Sequence, residues 1–179
     1  MCIRDSHTGT QTISGTINGE HALTITGTDN FTISGIVGGS AALDSVAATI
    51  TNSGTFTVGA NITTSGNQTY TAAGGIVTSG ARTFTSNSGT VNFVSALSGN
   101  NNVTVTGNAD IDGAITDIAV LAISGTSNIG ADITTSGTQT YTGAVTLSAA
   151  VTLTTSSDCL LYTSPSPRDA TLSRMPSSA

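Results

Sequence analysis

Residues 50–71 read ITNSGTFTVGANITTSGNQTYT, and residues 121–142 read LAISGTSNIGADITTSGTQTYT. Aligned from Ile50 and Leu121, the two stretches agree at 14 of 22 positions without a gap. Several mismatches keep their character, such as Val58 against Ile129 and Asn61 against Asp132. This is an internal duplication, and self-similarity at a fixed offset is the signature of stacked or strung units.

A shorter unit lies inside the long one. Leu23-Thr-Ile-Thr-Gly27, Phe31-Thr-Ile-Ser-Gly35, Val103-Thr-Val-Thr-Gly107 and Leu121-Ala-Ile-Ser-Gly125 share an apolar–x–apolar–x–Gly pattern. Val145-Thr-Leu147 and Val151-Thr-Leu153 repeat the alternation without the glycine. Period-two alternation turns one apolar row inward and one Thr/Ser row outward. Thr, Val and Ile favour strands because a branched β-carbon packs well on a pleated surface, while Gly and Asn supply turns. The expected strands are about three to five residues long, too short to stand alone. Inward positions are mostly aliphatic, aromatics are 4% of the chain, and residues 7–158 hold no proline. These features predict an all-β chain forming a right-handed parallel β-helix, a β-solenoid in which the offset between the duplicates spans roughly three coils. Tandem β-sandwich repeats are the alternative.

The two ends are of another kind. Residues 1–6, MCIRDS, can be encoded by a string resembling the mosaic end that a transposase leaves on sequencing libraries. Residues 159–179, CLLYTSPSPRDATLSRMPSSA, open with six residues encodable by the reverse complement of that end. Two matches in opposite orientation are what reading through a short insert gives. The expected organisation is therefore 1–6 and 159–179 adapter-derived, and 7–158 a repeat segment containing the 50–71 and 121–142 duplicates. Both cysteines, both methionines and all three prolines fall in the flanks, as do Arg4, Arg168 and Arg174. Arg82 is left as the one firm cation of the segment.

Charged residues are 8% of the chain and its net charge is −6. Phosphate binding needs clustered Lys and Arg, so nucleic acid is excluded as a partner, and anionic membrane surfaces are disfavoured. No apolar run approaches the roughly 18 residues of a transmembrane helix, so direct membrane insertion is not expected.

The stretches 36–49 (IVGGSAALDSVAAT), 55–71 (TFTVGANITTSGNQTYT) and 142–155 (TGAVTLSAAVTLTT) resemble the repeats of large filamentous-haemagglutinin-like exoproteins. Autotransporter passengers carry similar blocks. The resemblance covers most of residues 7–158 and rests on repeat style rather than on a catalytic signature. It implies a β-helical stalk displayed as an adhesin outside a diderm envelope.

Candidate sites are few. His21 follows Glu20 in NGEHALT, which reads as a solvated turn entering a strand; His7 abuts the flank. Asp110 and Asp112 stand at i, i+2, where both can face one side of a strand as paired carboxylates for glycoside chemistry. No aromatic or cation is near them in sequence. Asn108-Ala-Asp110-Ile-Asp112-Gly113 opens like a calcium loop, yet position 119 is alanine where the closing glutamate belongs. Asn30, Asn61, Asn67 and Asn102 begin N-x-T triplets that Thr-rich sequence generates by chance, and 100–102 read as a turn. No catalytic, cofactor-binding or metal-binding residue is assigned, and no cofactor is expected.

The sequence thus predicts a non-catalytic display segment of a secreted or surface-exposed bacterial exoprotein. Its expected partners are surface glycans or proteins of a host or neighbouring cell, and its exposed coil ends favour self-association. The alternatives are a β-helix lyase or hydrolase acting on polysaccharide, and a low-complexity chain that never folds.

Overall fold

A computed structural model describes residues 9–156 in full and the backbone of residues 2–4 and 161–162. The flanks read as adapter-derived lie outside the described residues, except for those two short backbone strands. Every strand pairing is parallel, and the described residues contain no helix. The chain is a β-solenoid of about seven turns, as alternation and duplication predict. The tandem sandwich requires antiparallel neighbours and is set aside.

Each coil runs over three faces in turn. The first face stacks Ile62–Thr64, the start of Arg82–Phe93, the start of Val103–Ile111, Leu121–Ile123 and Gln139–Tyr141. In earlier coils it narrows to isolated bridges at Ile17, Val37 and Leu43. The second face stacks Leu23–Gly27, Val46–Ile50, Gln68–Ala72, the ends of the two long strands, Ser127–Ile129 and Val145–Leu147. The third face runs from Gln11–Ile13 through Phe31–Ile33, Phe56–Val58 and Ile76–Thr78 to Leu153–Thr155. An open ladder edge templates further pairing. The backbones of Cys2–Arg4 and Leu161–Tyr162 accordingly add to the second and first faces.

Two strands depart from the expected three to five residues: Arg82–Phe93 has 12 and Val103–Ile111 has 9. Each runs around a corner as one strand, paired on both sides of it, and so joins the first two faces into one 12-stranded sheet. Their mutual register shifts between Thr85 and Thr90, where residues 86–89 lie opposite Gly107 alone. That corner sheds three residues. Before it, Leu23↔Val46↔Gln68 advances by 23 and then 22. Beyond it the coils tighten, and Val103↔Leu121↔Gln139 and Ser127↔Val145 each advance by 18.

Coil width decides what fills the core. Wide coils enclose more volume than aliphatic side chains can fill, and interiors pack to crystal-like density. All four phenylalanines of the chain, Phe31, Phe56, Phe84 and Phe93, are buried there with Tyr70. They form one continuous stack with ring centroids 5.1–6.2 Å apart. The narrow coils are filled mainly by smaller side chains: Val105, Ile111, Ile115, Ile123, Ile129 and Ile133 are all buried.

At the corner between the first and second faces Gly89 stacks on Gly66, Gly107 stacks on Ser86, and Gly107, Gly125 and Gly143 follow one above another. A β-carbon at Gly125 would lie 2.5 Å from the carbonyl of Gly107, and one at Gly143 2.3 Å from the Gly125 oxygen. The column must stay bare for the coils to touch. Gly125→Ala is expected to lower stability in urea-monitored circular dichroism by about 1–3 kcal/mol, the usual cost of overpacking. Gly15→Ala, where nothing lies within 4 Å, should be neutral or slightly stabilising. Equal effects at the two positions would refute the bare-corner account.

Candidate functional surface

Asp110 faces outward on the second face, where its two oxygens are divided between neighbouring coils. Asn128 Nδ2 donates to Oδ1 at 2.9 Å and Asn92 Nδ2 donates to Oδ2 at 3.4 Å. Asp110 is the middle rung of a side-chain ladder, and Asp112 is exposed beyond the end of the strand. Beside the ladder runs a shallow polar groove of about 240 Å³, lined by Thr90, Asn108, Asp110, Thr126, Asn128 and Thr146. On the same face Asn92 Oδ1 is buried without a partner.

His21 and Glu20 lie in the turn before Leu23–Gly27, as expected, and His7 lies outside the described residues. His21 borders an open cavity of about 110 Å³ whose other walls include Ile17, Asn18, Leu23 and Leu43. Among the described residues, no serine, threonine or carboxylate lines it to serve the imidazole as a nucleophile.

Arg82 points at backbone. Its Nε donates to the Val58 carbonyl at 3.3 Å, Nη1 to Ala81 at 2.7 Å and Nη2 to Ser79 at 2.6 Å. The guanidinium closes the corner between the third and first faces, and this consumes donors that an anionic substrate would need. Among the described residues, no group of three or more His, Cys, Asp or Glu side chains is placed to hold a metal ion. Position 119, where a calcium loop would close, supplies its backbone N–H to Asn101. Asn100 has φ 53°, consistent with the expected turn, and its N–H donates to the Asp117 carbonyl.

Three of the N-x-T asparagines have a structural task. Asn30 Oδ1 accepts from the N–H of Thr55 at 2.9 Å, Asn61 from Thr83 at 3.0 Å and Asn67 from Thr90 at 3.0 Å. Asn108 serves Thr126 in the same way at 3.0 Å, and Asp132 serves Thr152 at 2.7 Å. Each stands where the chain enters a face and satisfies an N–H in the next coil that the ladder leaves unpaired. Asn102 differs, since it is its backbone carbonyl that accepts from the Arg82 N–H at 3.0 Å. Period-two reading does not reveal the side-chain caps, because the partner lies 18 to 25 residues away.

The duplicate stretches hold a buried polar cluster that sequence reasoning missed. Gln68 and Tyr70 point inward and are fully buried, where alternation alone predicts aliphatic residues. Gln68 Nε2 donates to the Thr85 carbonyl at 2.7 Å and to Thr64 Oγ1 at 3.1 Å, and Tyr70 OH donates to Gln68 Oε1 at 2.8 Å. Thr64 Oγ1 closes the turn onto the Gly66 carbonyl at 2.6 Å. Gln139, Tyr141 and Thr135 reproduce the arrangement. Gln139 donates to the Thr154 carbonyl at 2.8 Å, Tyr141 to Gln139 at 3.0 Å and Thr135 to the Gly137 carbonyl at 2.6 Å. The available signal is the identity of Ile-Thr-Thr-Ser-Gly-x-Gln-Thr-Tyr in both copies.

The copies occupy different corners. Residues 62–70 turn from the first face to the second, whereas 133–141 turn from the third to the first. The offset therefore spans three and two-thirds coils rather than the roughly three expected. The reason is the shrinking coil: along the first face Ile62↔Phe84↔Val105↔Ile123 advances by 22, then 21, then 18. What was duplicated is a corner cassette that fits more than one vertex of a near-threefold coil.

Replacing Gln68 by Leu strands the Tyr70 hydroxyl and the Thr85 carbonyl in the core. The expected loss is about 1–3 kcal/mol in denaturant melts, part of which Gln68→Leu/Tyr70→Phe restores by removing the orphaned hydroxyl. A double variant as unstable as the sum of the single ones would disprove the coupling.

Burial pushes the Tyr70 phenol well above its ordinary value and raises Tyr141 as well. A group whose proton is held more tightly in the folded state contributes full stability below its unfolded pKa of about 10 and loses it as pH rises beyond. Stability attributable to these tyrosines should be flat up to about pH 10 and fall above it. Ultraviolet phenolate titration beside circular dichroism checks this: Tyr70 and Tyr141 should ionise only as the fold is lost.

No family model matches the chain, and no curated protein or solved structure matches it either.

Proposed function

We propose that the segment is a structural, non-catalytic display element of a secreted or surface-exposed bacterial exoprotein of adhesin type. The supporting observation is the sustained coil-on-coil register over three faces, which makes a rod rather than a basin. Each coil adds about 4.8 Å of length and touches only its neighbours, so reach grows with coil number without redesign of a core. The outward rows are mainly short hydroxyl and carboxamide side chains, suited to shallow contacts with glycans or proteins on another cell. The proposed location is the exterior of the outer membrane.

The groove beside Asp110 supports a second reading, a polysaccharide-active fragment, less well. Its carboxylate is engaged by Asn92 and Asn128, and Arg82 is committed to backbone carbonyls at another corner.

Anchoring the full chain to the surface of a non-adherent bacterium tests the display reading. Attachment to cell- or glycan-coated surfaces under flow should exceed that of the anchor alone. Equal attachment refutes the adhesive role. Release of reducing ends or unsaturated uronates from a polysaccharide panel would instead establish the enzyme.

A further inference from the structure

The three faces are not equivalent on their outer sides. On the second face the outward row passes from Thr69 to Asn92, Asp110 and Asn128, so it is uneven and charged. On the third face a register shift lifts Thr116 and Asp117 out of line, with Asp117 at φ 53°. In its last four coils the first face carries no charge and no register shift in its outward pairs, Ala122 leaving one gap and Ser124 Oγ accepting from the Gly107 N–H at 3.0 Å. Four successive coils present the outward pairs Thr83/Thr85, Thr104/Thr106, Ala122/Ser124 and Thr140/Thr142. Strand alternation puts both members of each pair on the same side, and the strand register stacks them into two files.

The resulting grid has two fixed spacings. Along the solenoid, rungs repeat at the strand separation of about 4.8 Å, the file of Thr85, Thr106, Ser124 and Thr142 carrying a hydroxyl at each and the file of Thr83, Thr104 and Thr140 broken once at Ala122. Across the face, residues i and i+2 stand about 6.7 Å apart. The advance per coil is 21 and then 18 and 18, and the partners stay in register at each step, so the files do not drift. Among the described residues, no protein acceptor holds the hydroxyl of Thr83, Thr85, Thr104, Thr106, Thr140 or Thr142. The chain has ten acidic and four basic residues, and none stands among the eight of this grid.

We propose that this face binds ice. Both spacings lie close to oxygen repeats of the hexagonal ice lattice, so hydroxyls can replace lattice waters in two directions at once. The γ-methyl groups between them order the intervening water, as apolar surface does, and the stacked backbone keeps the array rigid before contact. A neutral lattice calls for a neutral face, which separates this ligand from the charged or irregular surfaces of most macromolecules. The assignment goes beyond display: it names a ligand for one face, and its failure leaves the rod reading untouched.

The test uses the full chain on ice crystals growing in slightly supercooled solution, together with uptake of the fluorescently labelled chain into a growing ice hemisphere. Faceted crystals, a gap between melting and growth temperatures, and uptake into ice are expected. Thr104→Tyr, in the middle of the grid, should abolish most of that gap. Thr134→Tyr, exposed on the third face, should retain it. Circular dichroism melts establish that both variants fold; if Thr104→Tyr does not, Thr140→Tyr in the same file is read in its place. Unshaped crystals and exclusion of the full chain from ice would overturn the proposal, as would equal loss in both variants. Capture by crystalline cellulose or chitin with no effect on ice would also overturn it, assigning the grid to a polysaccharide lattice.

Discussion

Everything in this molecule follows from parallel pairing of each coil with the one above it. A backbone N–H on a strand has its acceptor in the neighbouring coil, as from Phe56 to Gly75 or from Ser127 to Ala144. That arrangement fixes which residue stands over which, and side chains must then agree vertically. Apolar residues stack on apolar ones inside, and bare glycines stack at a corner. Where the turn leaves an N–H short of its ladder partner, an asparagine one coil away supplies the oxygen. A wrong residue disturbs two neighbours as well as its own coil, because it is felt above and below.

Width is the second variable, and it changes most sharply between the first two faces at one corner. Dropping three residues between Thr85 and Thr90 narrows the prism, and the filling changes from an aromatic stack to mainly aliphatic layers. Phe84 and Phe93 meet edge to face at 5.1 Å on either side of that corner, on one strand. Burying rings of this size contributes roughly 1.5–3 kcal/mol each, enough to offset the ordering of a longer loop. Core composition and coil length therefore change together, which explains why aromatics are few yet concentrated.

Much of this is legible from the chain alone. Alternation marks Leu23, Ile25, Phe31, Ile33, Val103, Val105, Leu121 and Ile123 as inward, and all are buried. Leu147, inward by the same rule, is about half exposed in the last described coil. The face of each strand is not legible, since apolar–x–apolar is the same signal on all three. Neither are the inward Gln68, Thr64 and Ser127, whose burial depends on partners in other strands or on tight packing. The long strands are hidden because the glycines that look like breaks, Gly89 and Gly107, are corners with the ladder resumed beyond them. Candidate sites divide in the same way: His21 in its turn follows from local sequence, while the tie of Asp110 to Asn92 and Asn128 needs the register.

The displaced duplicate bears on how such a rod evolves. If only whole coils could be copied, an insertion would have to match coil length. Here that length is not constant: Phe31↔Phe56 advances by 25 and Leu121↔Gln139 by 18. The Gln–Tyr–Thr cassette avoids the requirement, since its bonds are made within a corner and to one strand of the next coil. Copied by three and two-thirds coils, it satisfies its own polar groups at a new vertex and leaves the outward residues free to differ. Thr63 and Thr134 are corresponding residues of the cassette, yet one faces outward on the first face and the other on the third. A duplication of this kind preserves the fold while reassigning which surface each residue joins. One face can thus gain an uncharged array of six threonines and a serine, broken only at Ala122, while its neighbours stay irregular, although all three are written in the same repeated words.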